Sequence, residues 1–282
     1  MGKLILVSFA DRRFRNAVER LRKYTKVFPF DEWHFHTQDD CFSKEYWKGL
    51  KPWLYRRGYG YWDWKARLVK YYYDQMNVGD IVVWSDVGVY WNASTEALKR
   101  FSEYVESLDS IKSILAFQEP YMEQEWTKGD LLKAMSVYDN EDICCSNQLW
   151  SGCFFVRKDD NTRDFIEQWV ELNDIQKELI TDKRSEVPNK EGFKEHRHDQ
   201  SSFSLLVKQI PHVEVLWQET QELNKDWEKL KDFPIQARRH KENARPLSVI
   251  IENKLLRPWR ICLNIYFRRI RDYDFLGKSY PW

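Results

Sequence analysis

No stretch of the chain approaches the ~18 uninterrupted apolar residues that a membrane-spanning helix needs, so nothing in the sequence reads as a transmembrane segment. The apolar run at the N-terminus, Leu4 to Val7, is too short for the core of a secretion signal and leads into Asp11-Arg12-Arg13. It reads as a first strand instead. Charge of one sign is also lacking: the formal net charge is +1, which gives no bulk attraction for nucleic acid. The five cysteines are an odd number without metal-type spacing, two of them adjacent at Cys144 and Cys145. They are expected to be reduced thiols of a cytoplasmic protein, and the sequon Asn92-Ala93-Ser94 then carries no weight. Internal repeats and low-complexity segments are missing as well. So are the Gly-x-x-x-x-Gly-Lys phosphate loop, a complete dinucleotide fingerprint and a Gly-x-Ser-x-Gly elbow, which removes the common kinase, NTPase, dehydrogenase and hydrolase readings.

Aromatic residues, by contrast, are abundant: 14 Trp, 15 Tyr and 16 Phe in 282 residues. Flat rings suit both a core and the faces of sugars and bases. Short apolar runs alternate with amphipathic stretches along the chain. Strands are expected at 3–9, 33–37, 81–84, 113–117 and 153–156, and helices at 11–26, 62–77, 94–108, 127–137 and 160–172. Another helix is expected to open at Asp199. That alternation predicts an α/β protein with helices on both faces of a sheet. Ligands in such sheets bind outside the carboxyl ends of the strands, so the residues just after each strand are the ones to inspect. The charged segment 181–197, with Pro188 and Gly192, is expected to be a mobile loop.

Three segments stand out by that rule. The strand 81–84 runs into Ser85-Asp86-Val87-Gly88, and it follows Gly58-Tyr59-Gly60-Tyr61-Trp62-Asp63-Trp64-Lys65 and a helix. The second segment is Trp150-Ser151-Gly152, read as a tight turn or as small residues that let backbone approach a sugar. The third is His196-Arg197-His198-Asp199-Gln200, where Asp199 is either a helix cap or a carboxylate facing a ligand. A late basic run, Ala237-Arg238-Arg239-His240-Lys241, is either a solvated turn or an anion site.

Taken together, the segment from Gly58 to Gly88 and the run from His198 to Phe203 resemble bacterial glycosyltransferases of the GT-A type that act in lipopolysaccharide and capsule synthesis. The resemblance covers most of residues 1–212. It implies one Rossmann-type, doubly wound mixed sheet with flanking helices over 1–245, its donor-binding half about 1–120 and its acceptor-side half about 121–245. A basic, aromatic helical tail over 246–282 then follows, suited either to packing on the domain or to an anionic membrane surface.

The implied activity is transfer of a hexose from a nucleotide-diphosphate sugar to a glycan or lipid-linked acceptor, at a cytoplasmic site or peripherally on the inner membrane face. The alternative is a non-catalytic carbohydrate-binding or scaffold protein of a polysaccharide assembly system. In the transferase reading Asp199 and Gln200 carry the chemistry. Ser8, Ala10, Asp11, Lys65, Asp86, Gly88, Trp150, Ser151, Gly152, Arg238 and Arg239 hold the donor. A divalent cation, Mn²⁺ or Mg²⁺, is expected at Asp86, with His240 as the natural further ligand and His198 as a substitute. Gly88 stands where the Asp-x-Asp pattern of these enzymes has its second acid.

Overall fold

A computed structural model of the chain describes residues 2–11, 14–39, 41–43, 46–47, 57–108, 111–221 and 226–238. Strands β1 (Leu4–Phe9), β2 (Glu32–His36), β3 (Ile81–Ser85), β5 (Ile114–Met122), β6 (Asn147–Arg157) and β7 (Val213–Trp217) form one sheet in the order β2-β1-β3-β6-β5-β7. β1 is parallel to both β2 and β3, whereas β6 runs antiparallel between β3 and β5. A second, two-stranded sheet joins β4 (Tyr90–Trp91) to β8 (Ile235–Gln236).

The sequence makes this sheet because its strands are apolar on both faces, as strands covered by helices on both sides must be. Side chains alternate between two cores with a period of two. Ile5, Val7 and Phe9 of β1 join Val82 and Trp84 of β3 and Phe154 and Val156 of β6 on one face. Leu4, Leu6, Ile81, Val83, Cys153 and Phe155 point to the other. The first face is covered by α2 (Trp64–Gln75), α4 (Asp160–Ile175) and α5 (Asp199–Val207), through Leu68, Val69, Phe165, Trp169 and Phe203 among others. Leu21 of α1 (Arg15–Thr25) and Phe101 and Tyr104 of α3 (Thr95–Glu106) cover the second.

Helix starts follow local chemistry. The Ser94 hydroxyl accepts from the Ala97 amide to open α3, and Asp159 with Thr162 makes a reciprocal capping box at α4. Because α1 and α2 lie on opposite faces, the chain leaves β1 to pair first with β2 on one side and then with β3 on the other. The carboxyl ends of β1 and β3 therefore flank a topological switch point, where open α/β sheets leave a crevice.

The mixed, doubly wound α/β sheet expected from the sequence is the one found. Three features differ in detail. β6 begins six residues before the expected 153, so Ser151 and Gly152 are strand and not turn; their backbone is held between β5, where Gln118 pairs Leu149, and the Asp86 amide, which donates to the Gly152 carbonyl at 2.8 Å. β7 and the β4–β8 pair were not expected, being short or half-exposed edges with a weak apolar pattern. The segment 181–197 lacks helix and strand, as expected of a loop, but it is tied down. Asp130 accepts from the amides of Glu186 and Val187, Asn189 accepts from the Gly129 amide, and the Lys194 and Arg197 amides donate to the carbonyls of Glu125 and Trp126. Residues 239–282, including Arg239, His240 and the expected tail, lie outside the described residues.

Candidate functional site

The residues singled out after β3, within β6 and at the start of α5 converge on one buried ammonium group. Lys65, on the first turn of α2, is 1% exposed. Its Nζ lies 2.7 Å from Asp199 Oδ2, 3.2 Å from Asp86 Oδ1 and 3.1 Å from the Ser151 carbonyl. Ser151 Oγ donates to Asp199 Oδ2 at 2.9 Å, and the Trp84 indole donates to Asp86 Oδ1 at 2.8 Å. The lysine thus bridges two carboxylates that are 113 residues apart in sequence (199 − 86).

A lysine ammonium is removed from water only when it is well paired. Burial opposes the charge of Lys65, but Asp199 and Asp86 outweigh it and hold its pKa above the ordinary lysine range. Asp199 moves up from the usual carboxylate value, because burial raises it, Lys65 pulls it back and Asp86 pushes it up again. The two acids differ in access: the Asp86 side chain is 37% exposed and the Asp199 side chain 7%. Asp86 therefore offers the open edge of the cluster, and Asp199 its protected floor.

The surroundings shape that opening. The Trp150 indole lies across Gly152, where an added Cβ would meet the ring at 2.3 Å, so glycine is what lets the ring fold down. An added Cβ at Gly88 meets nothing within 4 Å, leaving space beside Asp86. The Gln200 side-chain amide donates to Gln148 Oε1 at 2.7 Å. Gln148 in turn donates to Glu123, which is fully buried and also takes Lys208 at 2.7 Å. That polar chain braces α5 from beneath.

Other expected site residues fall elsewhere. Ser8 is wholly buried and its hydroxyl donates to the Ser85 carbonyl, so it ties β1 to β3 and does not face a crevice. Ala10 is buried and its amide donates to His36. Asp11 follows β1 at the switch point, largely buried. Arg238 is exposed and lies over the rings of Tyr90 and Trp227. His198 is not placed to replace a metal ligand: it is 2% exposed and its Nδ1 lies 2.8 Å from the Ile180 carbonyl. Among the described residues no group of three His, Cys, Asp or Glu side chains could hold a metal ion. Asp86 gives one carboxylate with an oxygen already engaged, so the described residues alone do not complete a site for the expected cation, and His240 lies outside them.

Sequence reasoning overlooked Arg20, whose guanidinium donates to the Val87 carbonyl at 3.2 Å and braces the turn after Asp86. It also overlooked Glu119 near the carboxyl end of β5. Burial pushes its carboxyl up to about 7 against the opposing charge of Arg197, and its Oε1 has no hydrogen-bond partner. A lone acid in an aromatic strand gives little signal. No helix among the described residues is long and apolar enough to cross a membrane.

No protein-family model matches the chain, and no curated protein matches it. Similar solved structures include a glycosyltransferase involved in the glycosylation of the major capsid of PBCV-1, with 13% identity over 83% of this chain and 93% of that one and a TM-score of 0.45. Mouse xyloside xylosyltransferase 1 in its apo form is similar at 11% identity, over 86% of this chain and 100% of that one, with a TM-score of 0.47. The galactosyltransferase LgtC in complex with donor and acceptor sugar analogues is similar at 14% identity, over 76% and 72% of the two chains, with a TM-score of 0.36. Likeness this loose leaves activity to be argued from the side chains themselves.

Proposed function

We propose that this chain is a glycosyltransferase that moves a hexose from a nucleotide-diphosphate sugar to a glycan or lipid-linked acceptor of surface polysaccharide synthesis. The observation that carries the reading is the Lys65 ammonium held between Asp86 and Asp199 at the carboxyl end of β3, beside the switch point. A scaffold has no use for a lysine and a carboxylate kept buried against the cost of desolvating both, beside a second, open carboxylate. A sugar site does, because hydroxyl groups of a hexose match a mixed set of fixed acceptors and donors.

In this reading the nucleotide lies along the crevice from Asp11 to Asp86, within the half of the chain up to about residue 120. Arg238, over Tyr90 just past Asp86, and Arg239 supply positive charge for the diphosphate. Trp150, Ser151 and Gly152 wall the sugar pocket, and Gln200 contacts the sugar. Asp199 lies nearest the bond that breaks. As that bond lengthens, positive charge grows on the sugar, and a carboxylate fixed by Lys65 and Ser151 stabilises it without reorganising. In an inverting reaction the same carboxylate accepts the proton of the attacking hydroxyl instead. A divalent cation at Asp86, completed by His240, belongs to the proposal only as a bound counter-charge for the diphosphate. The basic tail over 246–282 gives peripheral attachment to an anionic membrane at the cytoplasmic face.

The test is release of nucleotide from a panel of UDP-, GDP- and CMP-linked sugars by the wild type, Asp86→Ala and Asp199→Asn. Turnover by the wild type with a loss of about 100-fold or more in Asp199→Asn is expected, the scale of a positioned acid–base group. Undiminished turnover in Asp199→Asn removes that residue from the chemistry. Glycan binding that survives Asp86→Ala, with no turnover by any variant, favours a carbohydrate-binding scaffold.

A further inference from the structure

The residue before Asp199 adopts a backbone conformation that side chains ordinarily avoid. His198 has φ 55° and ψ −119°, and the Gln200 amide donates to the Arg197 carbonyl at 3.0 Å. This is a type II′ turn with histidine at the position that glycine normally fills. Such strain persists only where surrounding contacts over-determine it, and it collects at sites that must be held in one geometry.

The contacts that hold it are themselves strained. Gly58, Tyr59, Gly60, Tyr61 and Trp62 have φ of 55°, 53°, 102°, 60° and 59° in succession. The Tyr61 and Trp62 amides donate four residues back, to Arg57 and Gly58, at 2.7 and 3.1 Å. The segment is a turn of left-handed helix, which L-residues disfavour one by one. It ends against His198: the Trp62 ring stacks on the imidazole at 5.7 Å and 21°, and the Tyr61 ring lies 4.9 Å from it. The Tyr61 hydroxyl is fixed in turn by Asp182 at 2.8 Å. The left-handed turn then runs straight into α2 and Lys65.

We propose that His198 is a positioning residue: clamped by Tyr61, Trp62 and the Ile180 carbonyl, it sets the angle at which Asp199 meets Lys65 and Ser151. One strained turn thereby delivers the ammonium and the other the carboxylate, and the rings between them fix their spacing. The inference rests on the proposed sugar site for its chemical meaning, but the mechanical claim stands on the packing alone.

The experiment compares wild type, His198→Gly and His198→Ala. Glycine at a positive-φ position relieves strain that alanine keeps, so the glycine variant is expected to melt above the alanine variant, the reverse of the usual order. With the backbone free and the clamp gone, amide hydrogen exchange at residues 200–202 is expected to quicken about tenfold or more in His198→Gly, with exchange in the rest of the sheet unchanged. Unchanged exchange there overturns the proposal.

Nucleotide release from UDP-glucose, UDP-galactose and GDP-mannose gives the second readout. The expected result in His198→Gly is a kcat lowered about tenfold or more with KM within threefold. Wild-type kcat in that variant overturns the proposal, as does a loss of kcat and affinity in proportion to lost stability. If the wild type releases nucleotide from no UDP-, GDP- or CMP-linked sugar, the transferase reading falls while the exchange experiment still decides whether His198 positions Asp199.

Discussion

The interior of the sheet and the mouth above it are built by opposite rules. In β1, β3 and the 153–156 part of β6 most residues are aliphatic or aromatic types suited to a buried strand, and the alternation of side chains between two cores restates the sequence pattern. At the mouth, Tyr59, Tyr61, Trp62 and His198 sit in conformations that their types avoid, and the buried charges of Lys65 and Asp199 sit where burial alone disfavours them. The sheet is locally consistent, and the mouth is imposed on it by tertiary contacts. Proteins break local rules where geometry has to serve a ligand.

The sharpest way to break the mouth is to remove its cation. Lys65→Met leaves Asp199 buried without its partner and is expected to destabilise the fold by about 3–5 kcal/mol, read as a lowered denaturant midpoint with an unchanged slope. Lys65→Arg keeps the charge and is expected to lose less. A loss in Lys65→Met no larger than that of a surface lysine would mean that the bridge contributes nothing to folding.

The second contrast is between two glycines. Gly152→Ala forces the Trp150 indole off the strand and is expected to cost about 1–3 kcal/mol as an overpacked position. Gly88→Ala meets open space and should change stability by less than about 0.5 kcal/mol. Equal effects at both positions would erase the difference between a packed position and an open one.

Acid separates the two regions as well. His196 and His198 are buried, and burial first, then Lys128 beside His196 and Arg57 beside His198, hold both pKa values well below the usual 6.5. Asp182, 3.5 Å from His198 Nε2, and Glu195 act on the His198 ring with the opposite sign. The unfolded chain therefore binds protons that the folded one refuses. Stability is flat above about pH 6.5 with respect to these groups and falls below it, by up to ~1.4 kcal/mol per pH unit for each histidine. Hydrogen exchange should show the loss beginning around 196–199 before the strands open. Burial of Glu119, which raises its carboxyl to about 7, contributes with the opposite sign over this range. The test is therefore made in a Glu119→Gln background, where a midpoint that stays constant from pH 7 to 5 would show that the imidazoles titrate normally.

A modest and purely local effect is expected in the locally coded part. Ser94→Ala removes the side chain that caps α3 and is expected to cost about 1 kcal/mol with no effect on the mouth.

What was legible in the sequence divides along the same line. The strands at 4–9 and 81–85, the capped helix after Asp159 and the post-strand position of Asp86 all follow from short-range patterns, and each is found near its expected place. Lys65, Asp86, Ser151 and Asp199 were each singled out, yet their meeting at one ammonium is not a property of any spacing. It depends on α2 and α5 covering the same face of the sheet. The left-handed turn at 58–62 was hidden because only two of its five residues are glycine, and His198 because nothing in a sequence marks a histidine as strained. The 181–197 segment looked free from its charge and proline content, but its anchors at Asp130, Glu125 and Trp126 are distant in the chain.

The most direct test of the site is a thermal-shift panel of UDP, GDP, CMP and their sugar conjugates, each with Mn²⁺ and with EDTA, on the wild type and on Asp86→Ala. A ligand that binds only the folded state raises the midpoint by mass action. One nucleotide class is expected to stabilise the wild type, the shift to vanish in Asp86→Ala, and any gain with Mn²⁺ to vanish with it. No shift from any nucleotide, or a shift untouched by loss of Asp86, would contradict a donor site between Asp86 and Asp199.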